Sequence, residues 1–265
     1  MDLGRLVDNI AASWRYRASF PDFARSLLFT YAQNLPSVVQ KREWIIGFAY
    51  PAPVGTVRLL LRANQGADAF IRSEVFDRQF YRLPIDRSPP TILDLGANIG
   101  LTAIYLARAF PQAALACVEP MEGNLQVLAR NLQLNGIHAT IIAAAVHVDD
   151  GRVGMTTAAA DYDHKITADP GTPSDIEVAA ISVPAIMRKL NWDRIGLLKM
   201  DIEGHEKILL AENCDWLECI DAMCVEYHHD GAEIELARLA SRFGFLAPRR
   251  LPGEIWFLTR QRAVN

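Results

Sequence analysis

Apolar residues recur at two different periods along the chain, and the change of period divides it. Near the start Leu3, Leu6, Val7, Ile10 and Trp14 fall at helical spacing, with Pro21 and Pro36 as interruptions. The first fifty residues are therefore predicted to be helical, in pieces. "YPAPVGT" (50–56) reads as a turn, "VRLLLRA" (57–63) as a strand and "AFIRSEVFDRQFYRL" (69–83) as an aromatic-rich helix. "RSPP" (87–90) ends this portion, so residues 1–88 are predicted to form a cap and 89–265 the main domain.

From Thr91 onward short apolar runs alternate with amphipathic ones. Strands are predicted at "TILDL", "AALACVEP", "ATIIAAAV", "GLLKMD" and "AMCVEYHH". Between and after them, helices are predicted at "IGLTAIYLARAF", "MEGNLQVLARNLQLNG", "PAIMRKL", "EGHEKILLAE" and "IELARLASRFG". The last runs, "FLAPRRL" and "EIWFLTR", flank "PGE" and read as a hairpin adding an antiparallel strand. This alternation predicts an α/β fold, a doubly wound and mostly parallel seven-stranded sheet covered on both faces. Residues 149–182, rich in Asp, Thr, Gly and Pro, break the rhythm and are predicted to be an insertion or mobile loop.

Composition narrows the function classes. With 51% hydrophobic and 22% charged residues, the chain suits an ordinary globular core. A net charge of −4 argues against a nucleic-acid partner, and Arg249, Arg250 and Arg260 read as solvated surface. No run approaches the ~20 uncharged apolar residues that a membrane span needs. Asp2, Arg5 and Asp8 follow Met1 where an export signal would carry a basic stretch and an apolar run. Cys117, Cys214, Cys219 and Cys224 contain no C-x-x-C pair, so a reduced, cytoplasmic protein without disulfides is expected. The apolar N-terminal helix is a surface on which a homodimer could form.

The candidate chemistry begins at "TILDLGANIG" (91–100), a strand running through a glycine turn into a helix. A nicotinamide site wants G-x-G-x-x-G, but Leu101 stands where the third glycine would fall. A P-loop wants Gly-Lys-Ser/Thr, which is absent. The turn instead reads D-x-G-x-N-x-G, with the Asp94 carboxylate at the strand tip, suited to a cationic ligand. Glu119 ends the next strand and can accept both hydroxyls of a ribose. A ligand with a ribose, an ammonium group and no phosphate is S-adenosylmethionine.

At these residues the sequence resembles the FkbM-type family of class I methyltransferases. "ILDLGANIG", "CVEPMEGNLQVLARNLQLNG", "LLKMDIEGHEKIL" and "VEYHH" follow that family's pattern in order. The resemblance covers about 57–260 and departs at Pro184 and Ala185, where the family usually carries an acidic pair. It implies a Rossmann-like fold and methyl transfer from S-adenosylmethionine, leaving S-adenosylhomocysteine. The acceptor it implies is a hydroxyl on a small molecule such as a sugar, glycoside or polyketide natural product. Donor contacts are then expected from Asp94, Gly96, Ala97, Asn98 and Gly100 in the turn. Glu119, Pro120, Met121 and Asn124 would follow around the ribose, Ala144 and Ala145 against the adenine, and Ser73 and Glu74 from the cap.

The fourth and fifth strand tips should flank the reactive methyl. They carry Asp201 and Glu203 in "KMDIEGHE", and Glu226 and His228 in "VEYHHD". Asp201 and Glu203 would orient the acceptor or the donor's amino group, and His228 or Glu226 would take the hydroxyl proton. Glu206, Lys207 and His229 read as solvated surface, and "DYDHKIT" (161–167) as a polar loop that could line the acceptor pocket. The alternatives are a divalent metal gathered by Asp201, Glu203, Glu226 and His228, which is not expected, and a non-catalytic S-adenosylmethionine-binding partner protein. A nucleic-acid methyltransferase is disfavoured by "DIEG" at the fourth tip, and an NAD-dependent oxidoreductase by Leu101.

Overall fold

A computed structural model describes residues 19–32, 45–62, 66–156, 165–166, 174–211 and 213–260. The helical spacing of Leu3 to Trp14, Pro36 and most of 161–167 lie outside these residues. The chain enters with helix α1 (Phe20–Ala32), followed by a hairpin of β1 (Ile45–Ala52) and β2 (Gly55–Arg62). The sequence predicts a helix over residues 45–50. They are extended because Phe48 and Tyr50 are buried at a period of two, opposite Leu59 and Val57 of β2. The turn is accordingly shorter than predicted, since Tyr50–Ala52 already pair.

The predicted helix over 69–83 is also shorter. α2 (Ala67–Arg72) widens into a π-turn (Ser73–Asp77), and Gln79 turns left-handed at φ 54°. Wide turns of this kind often mark functional sites.

The main sheet takes β3 (Thr91–Leu95), β4 (Ala114–Val118), β5 (Ala139–Ile142), β10 (Ile195–Met200), β11 (Ile220–Glu226), β12 (Arg249–Arg250) and β13 (Ile255–Thr259). Their order is β12-β13-β11-β10-β3-β4-β5. Pairing is parallel from β11 to β5, and β13 enters antiparallel between β11 and β12. This is the expected doubly wound α/β fold. Strands β3 and β10 are buried along nearly their whole length, which explains their unbroken apolar runs. Five helices connect and cover them: α3 (Leu101–Ala109), α4 (Glu122–Leu134), α5 (Val183–Leu190), α6 (Glu206–Ala211) and α7 (Ala232–Phe243).

The expected insertion carries a sheet of its own. Strands β6 (Ala145–Val146), β7 (Gly151–Thr156), β8 (Lys165–Ile166) and β9 (Ile176–Ile181) pair in the order β6-β9-β7-β8. The predicted strand "ATIIAAAV" thus divides, with β5 staying in the main sheet and β6 joining the small one.

The β1–β2 hairpin shares a core with the main domain. Val57, Leu59 and Leu61 are fully buried at alternate positions and belong to one apolar cluster with Ile104, Leu128 and Leu132. Burial of each such side chain contributes roughly 1.5–3 kcal/mol. The hairpin's edge is strapped to α4 by fully buried Asn131, which accepts from Leu60 N at 2.7 Å and donates to the carbonyls of Leu60 and Ile99. Its bond to Ile99 ties the cap to the glycine turn.

Candidate functional site

The strand order reverses between β3 and β10, the point where ligands bind in open α/β sheets. A cavity of about 330 Å³ lies there, beyond the carboxyl ends of β3, β4, β10 and β11. Phe70 and Glu74 of the cap, and Met155 and Ile166 of the small sheet, complete its walls.

One half of the cavity is built by the glycine turn and the tip of β4. Gly96 adopts φ +76°, and a β-carbon there would sit 1.8 Å from the carbonyl oxygen of Asp201. Only glycine permits that approach. The N–H groups of Gly96 and Ala97 both bond the carbonyl of Val118 at 3.0 Å, locking the turn to β4. Glu119 is nearly buried, and its carboxylate accepts from Asn98 N (2.9 Å), Met121 N (2.9 Å) and Asn124 Nδ2 (3.0 Å). Burial pushes its acidity down, and those three donors work against that. Asn124 is held in turn by Arg62 Nη1 at 2.9 Å, and Arg62 by an ion pair with fully buried Asp68. Glu119 is therefore fixed while keeping one lone-pair site, on Oε2, free for a hydroxyl donor. Ala144, Ala145 and Val146 make a flat apolar wall beside it.

Asp94 differs from expectation. It is fully buried and does not line the cavity. Its cation is Lys199, the residue directly beside it on β10, with Nζ 3.1 Å from Oδ1. Burial pulls the Lys199 ammonium toward discharge, but Asp94 and Asp201 outweigh burial and hold it charged. Lys199 donates to the carbonyl of Gly96 at 2.7 Å and lines the cavity floor. The proposed direct contact between Asp94 and a ligand cation is thus corrected: an internal ammonium already answers that carboxylate.

The other half of the cavity is formed by the tips of β10 and β11. Asp201, Glu203, Glu226 and His228 all line it, with Glu74 facing them from the π-turn. Acidic groups outnumber cations here. Glu226 is pushed up to about 8, by burial first and then by Asp201. Glu74 is pushed up to about 6 by the same two causes. His228 is held up to about 9, chiefly by its hydrogen bond with Glu206 and then by the surrounding carboxylates. Its Nε2 lies 3.8 Å from both Glu203 and Glu226. Asp201, Glu203 and His228 bring one ligand-type atom each within 4.8 Å of one another, spacing compact enough for a cation.

With this geometry in place the comparisons with known proteins are decisive for the family. Residues 94–256 match the family described as the methyltransferase FkbM domain. The chain belongs to that family. It is similar to methyltransferase sdnD of Sordaria araneosa, 26% identical over 66% of this chain and 81% of the relative. It is also similar to 31-O-demethyl-FK506 methyltransferase FkbM of Streptomyces tacrolimicus, 24% identical over 72% of this chain and 89% of that one. A solved structure of methyltransferase FkbM from Methylobacillus flagellatus aligns with a TM-score of 0.47 at 13% identity, over 96% of this chain and 59% of that protein.

In this FkbM-family chain most of the sequence-predicted donor contacts converge on the cavity: Gly96, Ala97, Asn98, Glu119, Pro120, Met121, Asn124, Ala144, Ala145 and Glu74 all line it. Three do not. Asp94 lies beneath it, Ser73 begins the π-turn outside the lining, and Gly100 (φ +86°) opens α3 packed on Leu128. Sequence reasoning missed Lys199, Phe70, Phe80 and Tyr81, all of which line the cavity. A signal for Lys199 was available: a lysine inside an apolar parallel strand must find a buried anion.

Glu206, expected on a solvated face, is fully buried. It accepts from Ile202 N at 2.8 Å and Gly204 N at 2.9 Å, and meets His228 Nδ1 at 3.2 Å. His229, expected at the surface, is half-buried with Nε2 2.7 Å from the Gly204 carbonyl. His205 is nearly buried and stacks on His147; burial pulls it down to about 4, so it is neutral. Among the described residues no helix is long and apolar enough to cross a membrane.

Proposed function

We propose that this protein is an S-adenosylmethionine-dependent O-methyltransferase acting on a hydroxyl of a small molecule. The observation that carries the reading is the division of one cavity between a pre-bonded carboxylate at the β4 tip and an under-neutralised acidic cluster at the β10 and β11 tips. Glu119 suits a ribose, because its remaining lone-pair site on Oε2 can accept from one hydroxyl. Asn98 supports the fit, because its Oδ1 is buried with no hydrogen-bond partner among the described residues. An ammonium donor would satisfy it. The flat wall of Ala144 and Ala145 suits an adenine ring. Proton retention by Glu74 and Glu226 favours a cationic ligand, which would relieve their mutual repulsion.

The donor would supply a methyl group on a sulfonium centre, and the chain's own residues do the rest. Gly96 lets the backbone approach closely, and Lys199 pins the turn from below. Asp201 and Glu203 are within reach to orient an acceptor hydroxyl or an amino group. His228 in its neutral form is the base for the hydroxyl proton. It is charged at neutral pH in the free protein, and it releases its proton more readily once a cation sits among these carboxylates. Placing the hydroxyl close to the methyl accounts for much of the rate.

The relative named for 31-O-demethyl-FK506 fits an oxygen acceptor on a natural product. The free thiols of the four cysteines fit a reducing, cytoplasmic setting. The net negative charge fits a small-molecule partner and not a nucleic acid. The test is calorimetric titration with S-adenosylmethionine and with NAD, followed by mass detection of a methylated product. Stoichiometric donor binding with no NAD binding is expected, and the reverse ends the proposal. A metal-assisted version of the reaction would lose activity to a chelator and regain it with magnesium. We expect activity to survive chelation.

A further inference from the structure

Two strand tips must be held in register for the acidic half of the cavity to exist, and one buried side chain touches both. Glu206 opens α6 with no exposed surface. Two of its bonds reach back to the N–H groups of Ile202 and Gly204, the residues on either side of Glu203. Glu203 is held left-handed at φ 56° between them, a conformation a glutamate adopts only when its surroundings impose it. A carboxylate near a helix start bonding local N–H groups is ordinary capping. The third bond is not local, because it goes to His228 Nδ1, which follows β11.

That bond has a chemical consequence. Glu206 is kept ionised, since its hydrogen bonds outweigh the effect of burial. An ionised carboxylate can only accept. The Nδ1 of His228 must therefore carry the hydrogen, and in the neutral ring the lone pair stands on Nε2. That atom faces the Glu203 and Glu226 carboxylates of the cavity lining. The charged groups around the ring are Glu206 from α6, Asp201 and Glu203 from the β10 tip, and Glu226 from its own strand.

We infer that Glu206 is a positioning residue that fixes the His228 tautomer with Nε2 toward the reacting groups and, through Ile202 and Gly204, fixes the inverted backbone of Glu203. What these two groups do in the reaction rests on the methyl-transfer reading above; the tautomer does not.

The experiment is long-range ¹H–¹⁵N NMR of the histidine rings in the full chain, with His228 assigned by its loss in His228→Gln. S-adenosylmethionine affinity is measured on the same samples. In the wild-type protein above pH 9 the neutral His228 ring should carry its hydrogen on Nδ1. A hydrogen on Nε2 overturns the inference without any variant having to fold. In Glu206→Gln the titration midpoint of His228 should fall by a full unit or more, a tenfold or greater loss of proton affinity. Glu206→Asp, which keeps the charge, should recover part of that fall. A midpoint unmoved in Glu206→Gln also overturns the inference. Absence of S-adenosylmethionine binding with the expected tautomer would instead sink the functional reading and leave the positioning role standing.

Discussion

The two halves of the cavity manage their carboxylates in opposite ways. At the β4 tip Glu119 is almost fully buried but has three hydrogen-bond donors, and the chain Asn124–Arg62–Asp68 braces it from the cap. At the β10 and β11 tips Asp201, Glu203, Glu226 and Glu74 crowd together with Lys199 below and His228 among them, and two of the four retain protons well above the usual carboxylate range. In the first half the carboxylate is braced before any ligand arrives, and the Asn98 Oδ1 is left for one. The second is electrostatically unfinished, and a cation completes it. Under the proposed function the first half would serve recognition and the second the reaction.

Substitutions should separate the halves. The largest effect is expected from His228→Ala, which removes the proposed base while leaving Glu119 and the glycine turn untouched. Turnover should drop by about 10²–10⁴-fold, with donor affinity retained in a calorimetric titration. Next is Lys199→Met, which leaves Asp94 buried without its cation and should cost about 3–5 kcal/mol of stability. At this chain length a thermal melt should record a fall of roughly 10 °C. Glu119→Ala should act on the other half alone, weakening donor binding by about 1.5–3 kcal/mol, or roughly 10–100-fold, with the fold intact. If Glu119→Ala instead spared binding and cut turnover, the division between halves would fail.

The pH response tests the proposed base directly. Because His228 is held up to about 9 and the proposed base works only when neutral, kcat/KM should climb with pH through neutrality and level off near pH 9. The climb should be close to tenfold per pH unit on its steep part. A flat profile from pH 6 to 9 would remove His228 as the base.

The same contrast explains what could be read from the residues alone. The sheet was legible because buried parallel strands are continuous apolar runs and each is followed by a helix-period segment. The site was legible where backbone geometry demands a residue type, as at Gly96, or where a strand ends on a charge, as at Glu119, Asp201 and Glu226. Partnerships across the sheet were not. Lys199 and Asp94 are 105 residues apart, and only the β3–β10 register brings them side by side. Glu206 looked solvated because its partners lie on backbone N–H groups and on another strand. The small sheet was missed because β7 and β9 pair across residues 157–175, whose composition reads as loop. The β1 strand was missed because proline and glycine blur its period-two pattern.

The central claim is that the acidic half awaits a cationic adenosyl donor. It is tested most directly by titrating the protein with S-adenosylmethionine and with uncharged-sulfur S-adenosylhomocysteine at pH 7.5, in buffers of different ionisation enthalpy. Both should bind one per chain, and S-adenosylmethionine should release more protons because its sulfonium displaces those retained by Glu226 and His228. Equal proton release for the two, or no binding of either, would contradict it.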